Sequence, residues 1–313
     1  MTELSVLVKN IHQNVSSVVL GSHESIVMAM ATLLCGGHLL IEDAPGLGKT
    51  LLAKAFARTF DLDYKRVQCT PDLLPADITG VSMYNPLDGE FRFVPGPVFA
   101  NILLADEINR ATPRAQSALL ESMAEAQVSV DGVTRKLDKP FMVIATQNPI
   151  EFSGTHPLPE AQLDRFFMRI SMGYPKKEYE LEMMRSHQYL EPIDGLGAVA
   201  GKEEIIRLQA AVQDILVDPK VMEYIVSIVR ASRELDGVEL GASPRGSMAL
   251  MKASQALALL SGEDFVTPQM VKKMAVPVLA HRLILAHRRV LGGASAESVV
   301  RDILNQVETP VGA

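Results

Sequence analysis

The residues best suited to chemistry form a glycine-rich stretch between a predicted strand and a predicted helix. Residues 39–41 suit a strand that is buried on both faces, and strong helix formers resume from residue 50. A glycine turn that opens a helix presents bare backbone N–H groups and the positive end of the helix dipole to an anion. We therefore predict a phosphate-binding loop that consists of Asp43, Ala44, Pro45, Gly46, Leu47, Gly48, Lys49, Thr50 and Leu51.

Two side chains of this loop have expected roles in nucleotide binding. Lys49, where the helix opens, is expected to reach the β- and γ-phosphates, and the Thr50 hydroxyl is expected to ligate magnesium. The loop departs from the pattern G-x-x-x-x-G-K-[ST] where Asp43 replaces the first glycine. That position usually needs an open backbone geometry, which Asp tolerates better than most residues. The alternative interpretation is a structural strand–turn–helix that binds nothing.

Three further candidates follow two later buried strands. Asp106 and Glu107 end a strand at 101–104, and Asn148 follows a strand at 141–146. Ligands of open α/β sheets bind at the carboxyl ends of the strands. We expect Asp106 to hold magnesium through water, Glu107 to polarise the attacking water, and Asn148 to bond the γ-phosphate or that water. The alternatives are two solvated carboxylates and a plain Asn-Pro turn.

Two arginines outside the strands are also candidates. Arg165 is exposed by periodicity in a short helix, and its alternative role is a surface ion pair with Asp164. Arg245 stands at a helix start, from which it can reach back to a phosphate or simply lie in the capping region. A more distant basic cluster is typical of a solvated helix face and comprises His281, Arg282, His287, Arg288 and Arg289.

The order of elements predicts an α/β fold with two domains. Residues 1–174 form the predicted nucleotide-binding domain, a parallel sheet with helices on both faces and hairpins inserted near 80–95 and 127–138. Prolines and glycines mark residues 175–200 as a linker. Residues 201–313 read as a helical lid with helices at 202–217, 219–235, 247–261, 268–291 and 296–307.

Composition excludes several classes of protein. The 313-residue chain is 48% hydrophobic and 21% charged, which is typical of a soluble globular protein. It has neither an apolar run of about 18 residues nor a secretory signal, so we expect no membrane insertion. Two cysteines fit the reducing cytoplasm. A net charge of −7 and the absence of tryptophan argue against nucleic acid as a partner.

Taken together, the motifs resemble those of AAA+ ATPases and, more narrowly, of the MoxR family. The matching segments are 40–50 for Walker A, 103–110 for Walker B, 145–149 for sensor 1, 158–166 for the arginine finger and 243–245 for sensor 2. The two hairpins resemble the helix-2 insert and the pre-sensor hairpin of this clade. The resemblance also assigns Gly21 to nucleotide contacts, with Ser22 and His23 where a Gln often follows in the family.

The resemblance implies a P-loop NTPase core with a small all-α lid, and ATP and Mg²⁺ as cofactors. ATP would bind between the subunits of a ring, usually a hexamer. Glu107, Asn148, Arg165 and Arg245 would be catalytic, with Arg165 supplied by the next subunit. The family acts as chaperones that mature other proteins or insert metal cofactors, often with a von Willebrand A domain partner. A client protein is therefore expected as well.

Two other functions are open from the sequence. Related AAA+ clades act on DNA, although the net charge argues against a DNA-acting motor. A nucleotide-gated scaffold would bind ATP and barely turn it over. Glu107 argues against that scaffold, because a protein without hydrolysis need not keep a water-activating acid.

Overall fold

The central element is a parallel sheet of five strands, as the sequence predicts. A computed structural model describes residues 3–87, 89–149, 154–186 and 191–310, so Asp88 in the first predicted hairpin lies outside the described residues. The sheet has the order β2-β5-β8-β1-β9. Its strands are β1 (Leu39–Glu42), β2 (Tyr64–Gln68), β5 (Ile102–Asp106), β8 (Met142–Gln147) and β9 (Met168–Ile170).

Alternate residues of the central strands face two separate cores. Leu39 and Ile41 of β1 pack into one hydrophobic cluster, whereas Leu40 between them packs into the other. In register, Leu39 lies opposite Ile144 of β8 and Met168 of β9. This double burial explains why β1 reads as a continuous apolar run.

Helices cover both faces of the sheet. The larger core includes α1 (Glu3–Ser16), α2 (His23–Leu34) and α3 (Lys49–Thr59), and it continues into the lid. The other face is covered by α4 (Pro75–Thr79) and α5 (Pro113–Glu125). Thr112 caps α5 by accepting a hydrogen bond from the Ala115 N–H at 3.4 Å. The predicted two-sided α/β core is confirmed.

Both predicted hairpins are present beside the sheet. The first joins β3 (Gly80–Asn85) to β4 (Glu90–Pro95), and the second joins β6 (Gln127–Val130) to β7 (Val133–Lys136). The Arg135 guanidinium of the second hairpin lies 3.9 Å from the centroid of the Phe93 ring in the first. A cation–π contact therefore connects the two hairpins.

A helix and a short 3-10 turn occupy part of the segment between the two predicted domains. Within 175–200, the structure has α7 (Lys177–Ser186) and a 3-10 turn at Pro192–Gly195. The short helix α6 (Glu160–Leu163) precedes β9. The segment predicted as a linker is thus partly helical in the described residues.

The lid is mainly helical, with one interruption that the sequence did not predict. Its helices are α8 (Lys202–Asp214), α9 (Pro219–Glu234), α10 (Pro244–Ser261), α11 (Pro268–Leu279), α12 (His287–Leu291) and α13 (Ala296–Gln306). The predicted helix 268–291 ends at Leu279, and β11 (Ile284–Leu285) then pairs with β10 (Val238–Leu240). A 3-10 turn at Ala280–Arg282 lies between α11 and β11, and residues 280–283 are all buried.

Across the described ranges, no helix is long and apolar enough to cross a membrane.

Candidate nucleotide-binding site

The phosphate loop has the backbone that the sequence predicts. β1 ends at Glu42, and α3 begins at Lys49. Gly46 and Gly48 adopt φ values of 84° and 86°, in the left-handed region that favours glycine. Gly48 precedes the helix and has no side chain to cap it, so the N–H groups of the first turn are available to a phosphate.

Asp43 makes side-chain contacts that the sequence did not predict. Its backbone is not left-handed, so an open geometry does not explain the missing glycine. Its buried carboxylate instead accepts hydrogen bonds from the Ser171 hydroxyl at 2.6 Å and from the Met172 N–H. Asp43 therefore ties the start of the loop to the chain that leaves β9.

Lys49 lies in a cleft beside the loop. Its Nζ donates to the Asp43 carbonyl oxygen at 2.7 Å. Burial lowers the pKa of Lys49, whereas the nearby carboxylates of Asp43, Asp106 and Glu107 oppose that shift. The cleft has a volume of about 430 Å³ and is lined by Pro45, Gly46, Gly48, Lys49, Thr50, Leu51, Arg66, Gln68, Asp106, Glu107 and Asn148. The structure thus brings the predicted loop, the two carboxylates and Asn148 together.

A hydrogen-bonded chain through Thr146 links the Asp106 carboxylate to the Glu107 backbone at the end of β5. Thr146 of β8 donates from its hydroxyl to Asp106 Oδ1 at 2.6 Å and accepts from the Glu107 N–H at 2.8 Å. Glu107 adopts a left-handed backbone with φ 57°, which a non-glycine residue keeps only where its surroundings impose it. This turn directs the Glu107 side chain into the cleft.

Three polar residues of the site were not predicted. Arg66 of β2 forms an ion pair with Asp106 at 2.6 Å. Gln68 Nε2 and Arg110 Nη1 each donate to Glu107 Oε2 at 3.1 Å. The signal for the first two was their alternate spacing, which places residues 66 and 68 on one face of a strand.

Gly21 lies in the turn between α1 and α2, where its φ is 73°. A Cβ at this position would lie 2.8 Å from Cδ2 of Tyr179 in α7. The close approach of that ring and the positive φ together account for the glycine. Its contact with a nucleotide stays a prediction.

Arg165 lies at the opposite end of the sheet from the phosphate loop. It precedes β9, and the Phe167 N–H donates to the carbonyl of His38, the residue before β1. At ~3.3 Å per residue, His38 and Asp43 are about 16 Å apart along the strand. Arg165 is exposed, as predicted, and its Nη1 donates to the Leu120 carbonyl at 2.5 Å.

Asp164 does not form the predicted alternative pair with Arg165. Its Oδ2 instead lies 3.3 Å from Arg245 Nη1, and its Oδ1 lies 2.8 Å from Arg282 Nε. Arg245 stands in the first turn of α10, which begins three residues earlier than predicted. Within this chain Arg245 therefore contacts Asp164 at the amino end of the sheet, and its expected reach to a phosphate stays a prediction.

The basic cluster of the lid is only partly a solvated face. His287 and Arg288 are exposed, as predicted, but His281 and Arg282 are buried. Burial lowers the pKa of Arg282, and the Asp164 carboxylate opposes this. Burial and the Arg282 charge hold the pKa of His281 well below its ordinary value, so its ring is neutral and bonds the Phe166 carbonyl at 3.0 Å.

A parallel sheet with a glycine-rich loop after β1, two carboxylates after β5 and a helical lid defines an ATPase of the AAA class. Comparison with known proteins agrees. The model of the ATPase family associated with various cellular activities matches residues 38–168, and that of the AAA lid domain matches residues 230–303.

The comparisons also narrow the class. YeaC of Bacillus subtilis is 48% identical, with 96% of this chain and 93% of YeaC covered. Chaperone MoxR1 of Mycobacterium tuberculosis is 40% identical, with 95% of this chain and 80% of MoxR1 covered. The crystal structure of a protein from Cytophaga hutchinsonii superposes on this chain with a TM-score of 0.92 and 37% sequence identity. The match covers 98% of this chain and 96% of that protein's chain. The chain belongs to the MoxR family of AAA+ ATPases, and it binds and hydrolyses nucleotide.

Replacing Lys49 by Ala should weaken ATP binding about 10- to 10²-fold, because one charge-assisted contact to the phosphates is lost. Titration of a fluorescent ATP analogue measures the change. Lys54→Ala is the matched control, since Lys54 is an exposed lysine on the same helix. Equal affinities of the two variants would show that Lys49 does not bind phosphate.

Proposed function

We propose that this chain is an ATP-driven chaperone that remodels or matures partner proteins as a nucleotide-dependent ring, with a hexamer as the expected assembly. The observation that carries this proposal is the separation of the site's parts. The phosphate loop leaves the carboxyl end of β1, whereas Arg165 and Arg245 lie at the amino end of the sheet. Among the residues that the structure describes, neither arginine lines the phosphate cleft. One subunit's arginines are therefore suited to complete the site of its neighbour.

The donor set of the cleft fits a magnesium nucleotide. Hydroxyl and carboxylate oxygens are the hard ligands that Mg²⁺ prefers, and Thr50 and Asp106 supply them. Mg²⁺ would neutralise charge on the phosphate oxygens when bound. Thr146 and Arg66 hold the Asp106 carboxylate in place for this task.

The remaining residues have roles in hydrolysis that follow from their positions. Glu107 orients the attacking water, and Gln68 and Arg110 hold one of its carboxylate oxygens. Asn148 lines the same cleft and bonds the γ-phosphate or the water. Arg165 and Arg245 of the neighbouring subunit offset the charge of the transferring phosphoryl group.

The hairpins favour a protein client. Tyr84, Leu87 and Phe91 of the first hairpin are exposed although largely apolar, and the Tyr84 and Phe91 rings lie side by side with centroids 5.4 Å apart. Exposed apolar patches of this kind mark protein interaction sites. The relative MoxR1 is named a chaperone, which agrees with this role. The family suggests a partner with a von Willebrand A domain and metal cofactor insertion as the form of maturation. The two unpaired cysteines fit a cytoplasmic location.

The alternative functions have less support. A DNA-acting motor would need a basic contact surface, whereas the net charge of this chain is −7. A nucleotide-gated scaffold would not need Glu107, whose strained backbone and two side-chain donors hold it in the cleft.

A trapped ring tests the proposal. Glu107→Gln subunits should retain ATP, and therefore hold partner and client proteins that can be recovered by affinity purification and identified by mass spectrometry. Lys49→Ala is the matched control, because at an ATP concentration below its weakened affinity it stays largely unloaded and should recover neither. If instead DNA stimulates the ATPase, with an affinity that falls steeply with salt, the DNA-acting motor is the correct assignment.

A further inference from the structure

An ionic cluster at the amino end of the sheet includes Arg245 and adjoins Arg165 in the chain. We call Asp164, Arg245 and Arg282 the Asp164 cluster. The exposed fraction of the side chain falls from 64% for Arg245 to 26% for Asp164 and 3% for Arg282. The cluster therefore runs from the protein surface into the interior, across the boundary between sheet and lid.

Arg282 binds the main chain on both sides of Arg165. Its Nη2 donates to the Phe166 carbonyl at 2.8 Å and to the Asp164 carbonyl at 3.5 Å, while Nη1 donates to the Phe167 carbonyl at 3.3 Å. The planar guanidinium has several donors in a fixed arrangement, which suits it to hold one backbone geometry. Arg282 thus holds the main chain from which the Arg165 side chain extends.

The two oxygens of Asp164 have different partners. Oδ1 accepts from the buried Arg282 at 2.8 Å, and Oδ2 accepts from the exposed Arg245 at 3.3 Å. Because the inner contact fixes the plane of the carboxylate, it also fixes the outer oxygen that binds Arg245. One buried guanidinium therefore sets the positions of two surface arginines, one from the core and one from the lid.

We propose that Asp164 and Arg282 are positioning residues that hold Arg165 and Arg245 together for the ATP site of the neighbouring subunit. This inference rests on the proposed sharing of the site between subunits. Neither residue touches ATP, and both act through the arginines they orient. An error of about 1 Å in the position of a catalytic group can cost about 10²-fold in rate. The loss should therefore appear in kcat and only weakly in KM.

Rings of two subunit types test the proposal. One type carries Arg165→Ala and supplies an intact phosphate loop, and the other carries Lys49→Ala and supplies an intact arginine pair. We add Asp164→Asn to one type at a time. In the subunit that supplies the arginines, it should lower kcat tenfold or more. In the subunit that supplies the phosphate loop, kcat should stay within twofold.

Controls separate positioning from folding. Glu160→Gln, an exposed carboxylate of the same short helix, should have no effect in either subunit. Asp164→Glu keeps the charge and should recover part of the activity. If Asp164→Asn does not fold, Arg282→Lys keeps the positive charge but loses the planar set of donors to Asp164, Phe166 and Phe167, and it should give the same one-sided loss. Co-purification shows that each variant is incorporated into the ring, and the unfolding midpoint shows that it is folded.

The outcomes are distinct. Equal loss from both placements, or loss from neither, overturns the positioning role while the shared site stands. If the two parental types form mixed rings that are inactive before Asp164 is changed, the shared site is wrong, and the inference that rests on it is wrong too.

Discussion

Arg165→Ala and Lys49→Ala subunits should each be nearly inactive alone and should hydrolyse ATP when they share a ring. An arginine supplied across an interface contributes roughly 10³–10⁵-fold to turnover in phosphoryl-transfer enzymes. Arg165 lies at the amino end of β9, remote from its own phosphate loop, so its loss should leave ATP binding intact. Titration of one variant into the other, under conditions of subunit exchange, should give maximal activity at intermediate ratios.

The matched control for this titration is Arg114→Ala, an exposed arginine in the first turn of α5. Subunits with this substitution alone should be active. When the substitution is added to one of the two inactive variants, the dependence of activity on the mixing ratio should not change. Zero activity at every ratio, with mixed assembly confirmed by mass spectrometry, would contradict the shared site. Arg165 would then be a surface residue that bonds the Leu120 carbonyl.

Replacing Glu107 by Gln should lower ATP turnover about 10²-fold or more while ATP affinity changes little. The carboxylate acts on the attacking water, so its loss removes an interaction made in the transition state rather than in the bound state. Gln68 and Arg110 donate to the same Oε2. Because the amide oxygen of a Gln can still accept these bonds, the local structure should be retained.

Steady-state ATPase assays and an ATP-analogue titration measure the two quantities separately. Glu121→Gln, an exposed glutamate on α5, is the control for the loss of one negative charge. Turnover near the wild-type value in Glu107→Gln would mean that another group positions the water, and Asn148 in the same cleft would be the next candidate.

The phosphate loop and its position were determined by the sequence itself, because the interactions that form them are local. Gly46 and Gly48 take the positive φ values that other residues avoid, and the helix starts at Lys49 within the same few residues. Asp106 and Asn148 could be assigned to the same edge because parallel strands end together. The fold class followed from the same alternation of buried strands and helices, supported by the family resemblance.

The tertiary structure alone decided which polar groups meet. Arg66 reaches Asp106 only because β2 pairs with β5 in a register that sets Gln68 opposite Asp106. The ion pair of Asp164 with Arg282 joins residues 118 positions apart, from the core and the lid. The periodicity of 268–291 predicted one helix with a basic outer face, yet α11 ends at Leu279 and the basic residues His281 and Arg282 are buried. Sequence spacing reports the preference of a segment for a helix, whereas the partner of a buried charge depends on how separate elements pack.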